Sequence, residues 1–172
     1  SMIAILGMTI EEVEKEIELL PKNSICEISN DNSNSQVVVS GKSEDIQNFS
    51  KILKSKKKKA IMLPVSAPFH CSLMKKAADI MEKKINNINF ALPRPNIISN
   101  VTAQEVNDVN KIKSLLIDQI TSRVRWRESL NYMIKKGVTS FLEIGPGKVL
   151  SGLVKKTNRD VTTISINTLE DI

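Results

Sequence analysis

A single imidazole, two thiols and a run of lysines are the side chains of this 172-residue sequence best suited to chemistry near neutral pH. His70 is the only histidine, so any imidazole proton transfer must use it. It stands in Val65-Ser66-Ala67-Pro68-Phe69-His70-Cys71-Ser72-Leu73-Met74, after an apolar stretch of strand length and ahead of a helical pattern. Strand ends that lead into helices are where α/β proteins place reactive groups. A histidine in that corner can take and return a proton as general base and acid; the plainer alternative is an imidazole satisfied by backbone groups. A serine nucleophile would be announced by Gly-x-Ser-x-Gly, whose sharp turn exposes the hydroxyl beside backbone donors for an oxyanion. No such pattern occurs. Cys71 and Ser72 follow the histidine but sit in no elbow, and neither is taken as a nucleophile. Two cysteines, Cys26 and Cys71, are too few for a disulfide framework or a zinc site, which predicts a reducing, cytoplasmic setting and no metal.

The net charge of +6 raises the question of an acidic partner. Much of the excess lies in Lys54, Lys56, Lys57, Lys58 and Lys59, and in Lys155, Lys156 and Arg159. A nucleic-acid surface would interleave such charge with exposed aromatics. Only six aromatic residues exist, and Phe49 and Phe90 fall in apolar, core-like patterns, so no nucleic-acid partner is expected. A solvated lysine-rich loop is the simple account of the run. No stretch approaches the roughly 18 apolar residues of a membrane helix, so no membrane partner is expected either. The apolar start, residues 2–7, lacks a basic flank and reads as a buried strand, not a leader.

The elements that must position His70 follow from periodicity. After the strand at 2–7, Thr9 stands three residues before Glu12, a capping box opening a helix with Ile10, Val13, Ile17 and Leu20 on one face. Residues 25–28 and 36–40 read as strands joined by the turn-rich Ser29-Asn30-Asp31-Asn32-Ser33-Asn34-Ser35. Ser43 is expected to cap a second helix burying Ile46, Phe49 and Leu53, and residues 60–63 form another strand. The order βαββαβ predicts a ferredoxin-like unit over residues 1–63. From 64 to 172 the pattern changes. A helix at 72–88 should bury Met74, Ala78, Met81, Ile85 and Ile88. Strands are expected at 96–101, 139–144 and 161–166, with helices at 111–121, 127–136 and 148–156. That alternation predicts a parallel α/β sheet, but three strands are few for one, so this part reads as a portion of a larger subdomain.

The His70 segment closely resembles that of malonyl-CoA:acyl-carrier-protein transacylases. Met2-Ile3-Ala4-Ile5-Leu6-Gly7 is similar to the strand opening that family's small subdomain. Asn30-Asp31-Asn32-Ser33 with Gln36-Val37-Val38-Val39-Ser40-Gly41 is similar to its asparagine loop and strand. Glu143-Ile144-Gly145-Pro146-Gly147-Lys148-Val149-Leu150 is similar to its late glycine turn. The resemblance implies a small ferredoxin-like subdomain (1–63) followed by the C-terminal portion of an α/β-hydrolase-like subdomain (64–172). It implies ping-pong transfer of malonyl from coenzyme A to the phosphopantetheine thiol of acyl carrier protein, with both thioesters as substrates and no permanently bound cofactor. The nucleophilic serine, the arginine pairing the malonyl carboxylate and the oxyanion glutamine would belong to an N-terminal segment of the same enzyme. That segment is then itself a partner, and the chain alone is expected to be inactive.

The resemblance also assigns roles. His70 would be the proton carrier and Gln119 its orienting acceptor, in place of a triad carboxylate. Asp118, one position round the helix, is expected to be exposed. Asn32, with Asn30, would face the acyl group, and Ser66 and Phe69 would line the substrate site. Asp31 and Asn34 depart from the family's more usual aromatic and proline. Lys58 and Lys59 would meet coenzyme A phosphates or the acidic face of the carrier protein. Two other readings stay open: a non-catalytic remnant that binds the carrier protein, and an independent ferredoxin-like binding module. The latter predicts strand-face aromatics at 2–7 and 36–40, where none occur.

Overall fold

The computed structural model describes residues 1–171; Ile172, the last residue of the expected second part, lies outside the described residues. The first four strands are β1 (Met2–Leu6), β2 (Cys26–Ser33), β3 (Gln36–Gly41) and β4 (Lys59–Met62), with α1 (Ile10–Glu18) and α2 (Ser43–Ser55) between them. They form one antiparallel sheet in the order β2-β3-β1-β4, the split-βαβ arrangement expected of a ferredoxin-like unit. The continuous apolar run of β1 is explained by burial on both faces. Ile3 and Ile5 join Val37 and Val39 beneath the helices, meeting Val13 of α1 and Ile46, Phe49 and Leu53 of α2. Met2 and Ala4 face the other way with Val38, where Leu63 packs on them. Thr9 and Glu12 make the expected reciprocal cap, at 3.3 and 2.8 Å. Gly41 is required sterically: a Cβ there would lie 1.7 Å from the Ile25 carbonyl oxygen.

Two local expectations are corrected here. Ser43 does not cap α2; it is the first helical residue, its hydroxyl pairs with that of Ser1, and Lys42 takes the capping backbone position without a side-chain bond. The turn-rich segment is mostly strand: β2 runs to Ser33, with irregularities between Ile28 and Asn30 and between Asp31 and Ser33. Such bulges let polar residues remain in a ladder while re-aiming their side chains.

Beyond Leu63 the chain crosses the side of the small sheet opposite its helices and enters a 3₁₀ turn (Ser72–Met74) and α3 (Lys75–Asn86). Then come β5 (Ile97–Ile98), β6 (Glu105–Val106), α4 (Val109–Asp118), α5 (Trp126–Lys135), β7 (Ser140–Ile144), α6 (Val149–Thr157) and β8 (Thr162–Ile166). Of the three strands expected to belong to a portion of a larger parallel sheet, two pair with each other among the described residues. β7 and β8 pair in parallel, but β5 folds back on β6 as a two-residue antiparallel ladder, because the turn at 99–104 satisfies its bonds locally. Of the expected stripe on α3, Ala78 and Ile85 are buried while Met81 and Ile88 are exposed; the strip covered by α4 is narrow. α6 covers one face of the β7–β8 pair, and on the other Leu142, Ile144 and Ile164 are open, Ile144 to 76%. No helix among the described residues is long and apolar enough to cross a membrane.

The two parts meet along β2. The amide of Asp31 donates to the Val124 carbonyl at 2.9 Å, and the Val124 amide donates to the Ser29 carbonyl at 2.8 Å. Val124 therefore covers a sheet edge that would otherwise present unpaired backbone groups.

Candidate active site

His70 occupies the left-handed region at φ 59°, a conformation that a non-glycine residue adopts at a cost of roughly 1–3 kcal/mol. The surrounding backbone is tied down. The Ser40 hydroxyl donates to the Phe69 carbonyl at 2.7 Å, and the buried Cys71 thiol donates to the Pro68 carbonyl at 3.1 Å. Beyond the histidine, the Ser72 amide donates to a Glu27 carboxylate oxygen at 2.9 Å, and the Ser72 hydroxyl bonds the other oxygen.

The ring is oriented by Gln119, the residue that closes α4. His70 Nδ1 lies 2.8 Å from the Gln119 main-chain oxygen, one of the helix-end carbonyls that has no partner within its helix. A carbonyl only accepts, so Nδ1 carries the hydrogen and Nε2 of the neutral ring holds the lone pair. Gln119 thus meets the histidine chiefly through its backbone. Its side-chain nitrogen is more distant from Nδ1, at 3.3 Å, and donates to the Ser122 carbonyl at 3.2 Å. Among the described residues no group bonds Nε2. The arrangement can accept a proton at Nε2 and stabilise the resulting imidazolium through the Nδ1 bond. Asp118 is exposed, on the solvent side of the same helix end.

The other candidates are less tightly gathered. Asn30 and Asn32 lie on β2, half-buried, on either side of Asp31, while the hydrogen bonds of the His70 ring among the described residues go to Gln119. Ser66 and Phe69 are exposed in the loop that leads to the histidine. Lys58 and Lys59 lie elsewhere. Lys59 pairs with Leu6 and lies across from Gln36, whereas the Phe69 contact is made by Ser40, four residues along β3 and so about 13 Å away by strand rise. An apolar cavity of ≈ 120 Å³, walled in part by Ile98, Val106, Ile112 and Leu115, reaches Gln119 but not His70. Neither cysteine is activated. Burial pushes the Cys71 thiol up, and drives Cys26 up to about 12.

Three side-chain ties around the site are not legible in the sequence. Asp31, with no exposed surface, accepts from Arg127 Nε at 2.9 and 3.0 Å and from its Nη2 at 2.8 Å. The pair joins the asparagine-bearing strand to α5, and the carboxylate raises the already high pKa of Arg127. Arg125 ties α5 to the turn after β5, donating to the Val101 carbonyl at 3.3 Å and pairing with Glu128. Glu27 holds Ser72 from 45 residues away. The signals the sequence offers are a charged Glu27 and Asp31 in strand-like and turn-like stretches, Asp31 also departing from the family resemblance.

No family model matches the chain. Curated relatives do. The malonyl CoA-acyl carrier protein transacylase of Bacillus subtilis is 40% identical over 174 aligned residues, which take in all of this chain and 55% of the relative. Among solved structures, an acyl-carrier-protein-S-malonyltransferase from Bartonella henselae superposes with a TM-score of 0.94 at 37% identity, over 99% of this chain and 55% of that one. A malonyl-transacylase in complex with a type II PKS acyl-carrier protein gives a TM-score of 0.93 at 32% identity, again over 99% of this chain and 55% of that one. The chain spans about half the length of the curated relatives it matches. In sequence and in α/β fold, over its whole length, it resembles the C-terminal portion of malonyl-CoA:acyl-carrier-protein transacylases.

Proposed function

We propose that this chain supplies the histidine half of an acyl-transfer site, in which malonyl passes from coenzyme A to the phosphopantetheine thiol of an acyl carrier protein. The observation that carries the reading is the His70 geometry: a left-handed residue whose Nδ1 donates to the Gln119 carbonyl at 2.8 Å, with Nε2 left for a reacting group. The names of the relatives support the substrate class, and the solved complex of a relative with a carrier protein supports the partner.

In this reading His70 Nε2 takes the hydroxyl proton of a serine as the oxygen attacks the malonyl thioester. The acyl–sulfur bond breaks, and the imidazolium returns the proton to the departing coenzyme A thiolate. The second half runs the same steps with the carrier thiol attacking the acyl-serine ester. Both thioesters are substrates, and no resident cofactor is called for. Asn30, Asn32, Ser66 and Phe69 would border the acyl group, with Lys58 and Lys59 meeting phosphates or carrier carboxylates at longer range. The serine elbow is not among these residues, so the nucleophile would come from a polypeptide segment like the part of the relatives that this chain does not span.

The test is intact mass after exposure to malonyl-CoA. The chain alone should acquire no adduct. A full-length protein carrying it should be labelled and should pass the label to holo-carrier protein, with His70→Ala lowering the rate by at least about 10³-fold. A stable malonyl adduct on the 172 residues alone would place a nucleophile within them and overturn the division of labour proposed here.

A further inference from the structure

The backbone around His70 is stapled twice, and both staples come from one rung of the small sheet. Glu27 and Ser40 are direct partners in the antiparallel register of β2 and β3. Side chains opposite one another on such a rung lie on the same face. From that face the Ser40 hydroxyl holds the carbonyl of Phe69, the residue before the histidine, at 2.7 Å. The Glu27 carboxylate takes the amide of Ser72, two residues after it, at 2.9 Å, and also its hydroxyl. Between the staples lie His70 at φ 59° and the buried, extended Cys71 at φ −142°. A left-handed non-glycine residue persists only where its surroundings over-determine it. Here the two ends of a short segment are fixed to one rung, and the buried Cys71 removes the freedom between them.

We infer that Glu27 and Ser40 are positioning residues, a sheet-borne clamp that holds His70 in its left-handed conformation and so presents its ring to the Gln119 carbonyl. The Glu27 carboxylate accepts from both Ser72 donors, and its negative charge strengthens both bonds. A glutamine there can accept the Ser72 amide at its oxygen and donate to the hydroxyl from its NH2, but without the charge, so its clamp is weaker. The functional meaning of the clamp rests on the proposed role of His70, but its existence is read without turnover.

The single histidine makes the test direct, since a ¹⁵N-labelled chain shows one pair of ring nitrogens. In the unaltered chain they should report hydrogen on Nδ1, and the Ser72 amide should exchange slowly. Glu27→Ala should move the ring signals toward the other tautomer and speed Ser72 exchange by about tenfold or more. Glu27→Gln should lie between, and Ser72→Ala, at an exposed position, should weaken the clamp without touching the core. Should Glu27→Ala fail to fold, these two variants carry the test. Ring signals and Ser72 exchange unchanged in the folded Glu27 variants would overturn the clamp. If the clamp variants shift His70 while His70→Ala leaves acyl transfer intact in the full-length protein, the clamp stands and the proposed function fails. If His70→Ala abolishes transfer while the clamp variants leave His70 unmoved, the function stands and the clamp is refuted.

Discussion

Replacing Arg127 by methionine removes the partner of a carboxylate that has no exposed surface. Asp31 receives three contacts from that guanidinium, at 2.8 to 3.0 Å, while the arginine side chain itself keeps 23% of its surface open. The asymmetry sets the expected magnitudes. Stranding a buried charge costs about 3–5 kcal/mol, because its desolvation is no longer offset. The reverse change, Asp31→Asn, leaves the charge on the partner that can reach water, and should cost about 1–2 kcal/mol. For a chain of this size each kcal/mol moves the melting temperature by roughly 2–4 °C, so Arg127→Met should lower it by at least about 6 °C. Trp126, the only tryptophan and the neighbour of Arg127, gives a local fluorescence signal for urea titrations. The double variant Asp31→Leu/Arg127→Met should recover most of the loss, since a well-packed apolar pair often matches a buried ion pair. An Arg127→Met cost below about 1 kcal/mol, or an Asp31→Asn cost exceeding it, would refute the claim that β2 is latched to α5 by a desolvated charge.

Two further outcomes follow from the same packing. Gly41→Ala would drive a methyl to 1.7 Å from the Ile25 carbonyl oxygen, where only backbone displacement makes room; a loss of at least about 3 kcal/mol in urea denaturation is expected, and a neutral substitution would contradict the register of β2 on β3. Burial raises the Cys26 thiol to about 12, so at pH 8 its thiolate fraction in the folded chain is on the order of a thousandfold below that of an ordinary cysteine. Native labelling by a thiol reagent should be correspondingly slow and should jump on unfolding, and rapid native labelling of Cys26 would show that its surroundings open.

Read residue by residue, the sequence was sufficient wherever the determining interaction is local. The Thr9–Glu12 cap spans three residues, and the apolar spacing of Ile46, Phe49 and Leu53 marks one face of one helix, so α1 and α2 lie where periodicity puts them. The βαββαβ order of the first part and the α/β class of the whole were legible for the same reason. The His70 segment could be singled out because it holds the only imidazole and because its neighbours resemble a known family.

What the tertiary structure alone decided are interactions between distant parts of the chain. The turn-rich stretch from Ser29 to Ser33 extends β2 in its hairpin with β3, and what spacing could not show is that Val124 pairs its other edge and Arg127 neutralises Asp31, contacts 93 or more residues away. That His70 would lean on the main chain of Gln119, rather than on its side chain, depends on where α4 ends in space relative to the loop, 49 residues apart. Met81 and Ile88 read as core because they share a stripe with Ala78 and Ile85, yet only a neighbouring element can turn a stripe into a buried one. Spacing states which face a side chain is on; burial and charge pairing depend on what that face meets, and that is settled only when the chain has closed on itself.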